Sequence, residues 1–442
     1  MIVPTDTTSL REAEHMTIRE VTTSCSALGA NYFAFGIVDA IPLPNTGQGC
    51  LFTLIHGLKA KGNKDFGPIC GTGLASREVV YGGEERLAET ILMAEKVYDP
   101  ALIYVADGCV PAIIGDDNRG VILSIKDRLN KAKIVYVDTT GFDGDLVFGI
   151  DKAATATVDQ VMEAPTEKLA ATVNILGLGY WYDQFCEGNA EEIRRLIEAI
   201  GLKVNCIFGY GCTRQQIEDM PKASLNVVIG DYIGLEAAKL MKKRFGVPYV
   251  AATSGMPIGL KSTERFLLEV AEKGGADMDI ARSAIEKEKC STMEKVSIGL
   301  DFWFERISVY KVAIVADSFR ALGLYQFLVN ELQLEPAFVA LTSMGPDSRK
   351  ELDALIAANP MAWNPLVLER PDGYQIREAA DATLPTLMLG RSPEREWCMD
   401  HKARFMPITH PILHSVEILG RADIGFRGMR TYMHELANML LQ

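Results

Sequence analysis

The sequence predicts an α/β protein made of three doubly wound, Rossmann-like domains with parallel sheets. Three observations lead there. Short apolar runs alternate with amphipathic helical stretches nearly everywhere after residue 85. The strand-like runs are apolar on both faces, as expected of parallel strands covered by helices on each side. The rhythm also restarts twice, and 442 residues are too many for one ordinary core.

The elements follow in order. In the first unit, 101–106 (ALIYVA) and 133–138 (KIVYVD) read as buried strands. Between them, 118–131 carries Val121, Leu123, Ile125 and Leu129 at helical spacing. The second unit opens with a strand at 172–176, a helix at 190–200 and a strand at 203–208. It continues with a strand at 226–229, a helix at 234–245 and a strand at 248–252. A third copy begins at 310–316 (YKVAIVA) and includes 337–342 and 385–389. The expected domains are 1–160, 161–300 and 301–442. Between the second and third units, 278–307 is a proline-free helical stretch without sustained heptads, which reads as a connecting helix. Residues 425–441 read as an amphipathic helix, and 1–20 as a polar arm.

Composition removes whole classes of function. The formal charge is −13, and the chain has no basic tract to meet a phosphate backbone, so no nucleic-acid partner is expected. No apolar run reaches bilayer-spanning length, and the first residues lack the layout of a signal peptide. The expected setting is therefore cytoplasmic, with no membrane partner. Nine scattered cysteines are an odd number in such a setting and do not form a disulfide framework. Taken singly, each reads as a small buried hydrophobe.

Three of them have a different context. Cys109 follows the strand at 101–106 in DGCVPAIIGDD (107–117), and ligands of open parallel sheets gather beyond the carboxyl ends of strands. Gly108 lets the backbone bend close to a bulky ligand, and the Asp pair after Gly115 offers an N-cap to the next helix. Cys25 lies in TSCSALGA (23–30) and Cys50 in NTGQGC (45–50), both among small residues that read as turns. Iron–sulfur clusters take thiolates presented this way, with N–H donors nearby. No compact C-x-x-C pair occurs, so spacing alone does not separate cluster ligands from packing cysteines.

The run CSALGANYFAFGIVDAIPLPNTGQGC (25–50) resembles the opening of nitrogenase component 1 beta subunits. So do LASREVVYGG (74–83) and GCVPAIIGDD (108–117), then GCTRQQIEDMPKASLNVV (211–228), MPIGLKSTERFL (256–267) and GFRGM (425–429). The resemblance covers most of the chain, and the ordered trio of cysteine sites is its specific part. It implies a nitrogenase component 1-like fold and an oxidoreductase subunit. It also implies that Cys25, Cys50 and Cys109 ligate iron of an eight-iron, P-cluster-type [8Fe-7S] cluster, shared with an alpha-type subunit in an alpha2beta2 heterotetramer. An ATP-hydrolysing iron protein would deliver electrons, since this chain has no Walker-type loop of its own. Phe66, in KDFGPIC (64–70), resembles the aromatic that beta subunits offer to that docking reductase, and equally reads as a residue at the edge of the core.

Departures from the family pattern carry their own implications. Alpha subunits bear a cofactor-binding cysteine after the strand that is LNVVI (225–229) here, where this chain has Gly230. The substrate-reducing cofactor is therefore expected in the partner subunit only, and His410 and His414 read as structural. At the position where beta subunits often carry a serine ligand, TTGF (139–142) has Gly141. Together with the short N-terminus, this leans toward a nitrogenase-like reductase outside nitrogen fixation, methylthio-alkane reductase being the expected member. A true nitrogenase beta subunit and a non-catalytic scaffold for cofactor assembly are the alternatives. Cys70 reads as a neighbour of the ligands or a packing residue. Cys186, Cys206, Cys212, Cys290 and Cys398 read as packing residues. Gly82 and Gly83 open a helix at 84–98 whose start suits either an anion or a plain cap.

Overall fold

Parallel ladders organise the whole chain. The computed structural model describes residues 24–60, 68–178, 183–306 and 310–441. The polar arm expected at 1–20 lies outside the described residues. Strands β1 (Ala40–Asn45), β2 (Leu102–Asp107) and β3 (Lys133–Val137) form the first sheet, in the order β1-β2-β3. β4 (Leu169–Leu176), β5 (Lys203–Ile207), β6 (Ala223–Val228) and β7 (Tyr249–Ala251) form the second, in the order β5-β4-β6-β7. β8 (Lys311–Ala316), β9 (Glu335–Leu341), β10 (Leu366–Glu369), β11 (Leu387–Gly390) and β12 (Arg404–Pro407) form the third, in the order β10-β9-β8-β11-β12. The order reverses at β4 and at β8, which makes a crevice beyond the carboxyl end of each.

The expected strands are all present, with ends shifted by one to three residues. Three more were not expected. β1 contains Pro42 and Pro44, and proline argues against a central strand. It is an edge strand paired only with β2. The Pro44 carbonyl turns outward to accept the Thr72 N–H at 3.2 Å, so the proline nitrogen also faces away from the ladder. β10 and β12 are four-residue edge strands, too short to show a pattern. The other edge of the first sheet is closed by a side chain. Gln160 accepts the Tyr136 N–H at 2.9 Å and donates to the Tyr136 carbonyl at 2.8 Å, pairing backbone groups that would otherwise invite another strand.

The connecting helix runs over Met278–Arg306 and packs on helices Gly259–Gly274 and Gly425–Leu441. Arg195 ties it to helix Cys186–Ala199 through Glu288 at 2.6 Å and Glu192 at 2.9 Å. Deeper still, Arg320 joins three distant segments. Its guanidinium donates to Asp183 at 2.8 Å and Asp423 at 2.7 Å, with all three side chains at most 5% exposed. Asn189 and Tyr432 also donate to Asp423, at 2.6 and 3.2 Å.

Buried polar networks also stand at the carboxyl ends of β6 and β8. Beyond β8, Asp317 caps helix Ser318–Leu324. Ser318 and Ser348 both donate to Asp231, which follows β6, the Ser318 bond being 2.6 Å long. Burial raises the Asp231 carboxyl to about 6, against the two serine hydroxyls.

Two predictions follow from this packing. Arg320→Ala strands two buried carboxylates, and should lower unfolding free energy by about 3–5 kcal/mol in urea titration. Unchanged stability would mean that the triad contributes nothing. The second concerns pH. Asp231 has a raised native value, so its cost is absent below the ordinary carboxylate range and grows as pH rises through about 6. Relative to wild type, Asp231→Asn should therefore gain about 2 kcal/mol between pH 4.5 and pH 8. A pH-independent difference would contradict this.

Candidate thiol site at the carboxyl edge of the first sheet

The site begins with a register. Asn45 at the end of β1 and Asp107 at the end of β2 are ladder partners, so the segments carrying Cys50 and Cys109 leave the sheet side by side. Asp107 is buried and acts as a clasp. One carboxylate oxygen accepts from Asn45 at 3.1 Å and from Asn118 at 2.8 Å; the other accepts from the Tyr136 hydroxyl on β3. Burial raises the Asp107 carboxyl, and these three donors oppose the rise. The next residue is also fixed. Gly108 N–H donates to the Asn45 carbonyl at 2.9 Å, and a Cβ on Gly108 would lie 2.4 Å from Thr46 Oγ1.

From this clasp, Cys109 enters as the first residue of helix Cys109–Ile114. Cys50 is the third residue of helix Gln48–Ala60 and is exposed. The segment before Cys50 is stitched down by Thr46 N–H to Thr72 Oγ1 at 3.0 Å and by Leu74 N–H to the Thr46 carbonyl at 2.9 Å. The sequence suggested turns for Cys25 and Cys50; both instead sit at helix starts. Small residues suit either setting, and the N–H groups of a first helical turn are without partners in the helix.

Cys25 arrives by another route. It is the N-cap of helix Ser26–Phe35, in extended backbone, and it bridges to Asp145. That helix crosses helix Leu146–Gln160 at backbone contact. A Cβ on Gly29 would lie 1.9 Å from the Leu146 carbonyl oxygen, and one on Gly149 would lie 1.8 Å from the Ser26 carbonyl oxygen. Ser26 N–H donates to the Gly144 carbonyl at 3.1 Å, and the Ser26 hydroxyl to the Thr140 carbonyl. Burial raises the Cys25 thiol. The N–H groups of Leu28 and Ala27 pull it down, while Cys109 and Cys50 push it further up.

The structure thus brings Cys25, Cys50 and Cys109 within electrostatic reach of one another. Gly141 lies beside two of them, Cys109 and Cys25. A Cβ there would stand 2.6 Å from Cys109 Sγ and 3.6 Å from Cys25 Sγ, so a side chain at 141 would displace Cys109. Among the described residues, no group of three or more His, Cys, Asp or Glu side chains could hold a single metal ion. Three thiols opening outward, with helix-start N–H groups beside Cys25, suit a larger iron–sulfur group completed from elsewhere. Around them stand exposed apolar residues, including Phe52, Ile113 and Phe142. An open groove of about 780 Å³ continues past Ile114, lined by Tyr81, Arg86 and Asp116.

Other readings are corrected or refined. Phe66 lies outside the described residues. Cys70 packs against the core of the first sheet and is raised by burial. Cys186, Cys206, Cys212 and Cys398 are buried, but Cys290 is exposed on the long helix, 3.6 Å from Glu286, so it is not a packing residue. The start of helix Glu84–Tyr98 is taken by this chain's own acid, since Asp116 accepts the Gly83 N–H at 2.9 Å. Beside Gly230, a Cβ would lie 2.6 Å from the Phe319 ring, which fills the space a side chain there would need. His414 is exposed in the loop after β12. Sequence reasoning missed Asp107 and its three partners. Its only signal was an acid directly before Gly-Cys at a strand end.

Comparison with known proteins agrees with this architecture. The profile of the family described as Nitrogenase component 1 type Oxidoreductase matches residues 25–441. The nitrogenase iron-iron protein beta chain of Rhodobacter capsulatus is 23% identical over 459 residues, covering 97% of this chain and 95% of its own. The nitrogenase iron-molybdenum cofactor biosynthesis protein NifE of Clostridium pasteurianum is 25% identical over 363 residues, covering 78% of this chain and 76% of its own. The solved structure of nitrogenase Cp1 at pH 6.5 superposes with a TM-score of 0.84 at 20% identity, over 96% of this chain and 93% of that one. At that identity the likeness is one of fold.

The clasp can be tested directly. Asp107→Ala leaves three donors without their acceptor and should cost about 2–4 kcal/mol in urea unfolding, whereas Asp107→Asn, which keeps the amide acceptor, should cost roughly half as much. Equal midpoints for all three proteins would remove Asp107 from the architecture of the site.

Proposed function

Because the chain belongs to the nitrogenase component 1 type oxidoreductases, as a beta-type subunit, we propose that Cys25, Cys50 and Cys109 are its ligands to an interface cluster. The observation carrying the proposal is that Cys25 and Cys109 meet beside Gly141 at the carboxyl edge of the first sheet, with Cys50 within electrostatic reach of Cys25. Family membership implies an alpha-type partner chain and an iron protein. The proposed assembly is an alpha2beta2 heterotetramer. An eight-iron, P-cluster-type group shared with the alpha chain would supply one-electron relay from the ATP-hydrolysing iron protein to a substrate-reducing cofactor in that partner.

This chain's residues prepare the site for such a group. The N–H groups of Ala27 and Leu28 stabilise the charged form of Cys25, the form that ligates metal. The Asp107 clasp sets the spacing of the Cys50 and Cys109 arms, and Gly141 leaves the room between Cys25 and Cys109 open. Phe52, Ile113 and Phe142 offer an apolar rim that would exclude water once the partner docks. Phe66 is proposed as a contact for the docking iron protein.

Of the members of this family, we propose a methylthio-alkane reductase, acting on carbon–sulfur bonds. Its support is Gly141, which cannot supply a side-chain ligand. A nitrogenase proper is the second reading, favoured by the match to a nitrogenase beta chain over 97% of this sequence. Phe319 filling the space beside Gly230 supports placing the reducing cofactor outside this chain in either case.

The test is anaerobic co-purification with the alpha-type chain, followed by iron counting and spectroscopy of the reduced complex. Cys109→Ala should lose the interface iron and weaken the pairing of the two chains. Normal iron content in that variant would make Cys109 a packing residue, and four irons per pair would rule out the eight-iron group.

A further inference from the structure

Unpaired hydroxyls gather at the thiol site. Among the described residues, the Oγ1 atoms of Thr46, Thr139 and Thr140 are buried and meet no protein hydrogen-bond partner. All three residues are at most 6% exposed. A buried hydroxyl left without a partner costs stability, so three of them at one sheet edge call for an acceptor.

Their placement sets them beside the cysteines. Thr46 opens the segment that leads into Cys50, and its Oγ1 stands 2.4 Å from where a Cβ on Gly108 would be. It therefore lies between the Cys50 segment and the residue that precedes Cys109. Thr139 and Thr140 lead directly into Gly141, where a Cβ would stand 2.6 Å from Cys109 Sγ. Both segments are pinned. Thr46 N–H donates to Thr72 Oγ1 at 3.0 Å, and the Thr46 carbonyl accepts the Leu74 N–H at 2.9 Å. Thr140 N–H donates to Asp143 at 2.8 Å, and its carbonyl accepts the hydroxyl of Ser26, the neighbour of Cys25.

We propose that Thr46, Thr139 and Thr140 donate O–H hydrogen bonds to sulfur of the interface cluster, and so raise its reduction potential. The proposal rests on reading Cys25, Cys50 and Cys109 as cluster ligands, and names donors to that group beyond the cysteines. A thiol is a weak acceptor, whereas a sulfide or ligating thiolate carries negative charge and takes a stronger bond. Added negative charge on reduction strengthens such bonds further, so the donors favour the reduced form. Threonine suits the task, because its branched side chain is stiff about χ1 while its hydroxyl hydrogen turns freely. Asn45 Oδ1 and Asn118 Oδ1 are unpaired nearby, but they are acceptors whose amide groups already serve Asp107. A buried water joining those oxygens to the hydroxyls is the rival arrangement.

The experiment compares wild type with Thr46→Val and with Thr139→Val/Thr140→Val, each co-produced anaerobically with the alpha-type chain. Thr155→Val is the control, an unpaired hydroxyl in the later half of helix Leu146–Gln160. Midpoints are read by redox titration of the assembled complex, followed spectroscopically. At a fixed potential each test variant should shift the reduced-to-oxidised ratio roughly tenfold toward oxidised, a fall of about 59 mV for one electron. Thr155→Val and Thr46→Ser, which keeps the hydroxyl, should stay near wild type. In the lone chain the valines should raise the urea midpoint, since each removes a hydroxyl that has no partner there. Ratios within twofold of wild type in both test variants would overturn the donors and leave the cysteine reading intact. A lowered urea midpoint would then assign the hydroxyls to buried water. A Thr46→Ser shift as large as that of valine would overturn the hydrogen bond from Thr46 in favour of packing. A wild-type complex without iron would overturn the ligand reading itself, and the donors with it.

Discussion

One buried carboxylate sets the geometry on which the thiol site depends. Asp107 accepts from Asn45, Asn118 and Tyr136, residues belonging to the end of β1, the helix after Cys109, and β3. A carboxylate with three donors resists separation of its partners, because each would be left buried without a bond. The Cys50 arm continues from Asn45 and the Cys109 arm from Asp107 itself, so their spacing is inherited from the register of two strands. Cys25 is set independently, by the glycine-to-carbonyl crossing of helices Ser26–Phe35 and Leu146–Gln160. Two rigid constraints thus converge on Gly141. A site so fixed can meet a group of defined shape without first ordering itself, the condition for precise ligation.

Among the described residues, buried polar networks stand near the carboxyl ends of β6 and β8, where open α/β sheets usually bind ligands. They join Arg320 with Asp183 and Asp423, and Asp231 with two serines. Such networks are expensive to disturb, because removing one member leaves the others buried and unpaired. Phe319 fills the room beside Gly230 in the same region. The chemistry-bearing residues have moved instead to the first sheet, whose strand order contains no reversal. This division suits a subunit that contributes ligands and surface while its partner carries the reacting centre.

Much of this was legible in the sequence, and the failures have physical causes. Strands apolar on both faces announced parallel sheets, and the long helix and the final helix were found nearly to the residue. β1 was hidden by its prolines, which an edge strand tolerates where no ladder N–H is needed. The three cysteines could be singled out from small neighbours and strand ends, but helix starts and turns share that composition. Asp107 was invisible for a different reason. Its partners lie 62, 11 and 29 residues away, and no local pattern reports a bond that only the folded sheet creates. Cys290 failed similarly, since a helix of weak amphipathicity does not declare which face is wet.

The exposed features share one logic. A chain that supplies only part of a coordination sphere must leave that part open, so a half-site looks unfinished when its subunit stands alone. Cys50 in water, Phe52 on the same helix and Ile113 on the helix of Cys109 would each be a liability in a solitary protein. Each becomes an asset if one partner covers them together, because apolar contact then excludes water from the thiols it encloses.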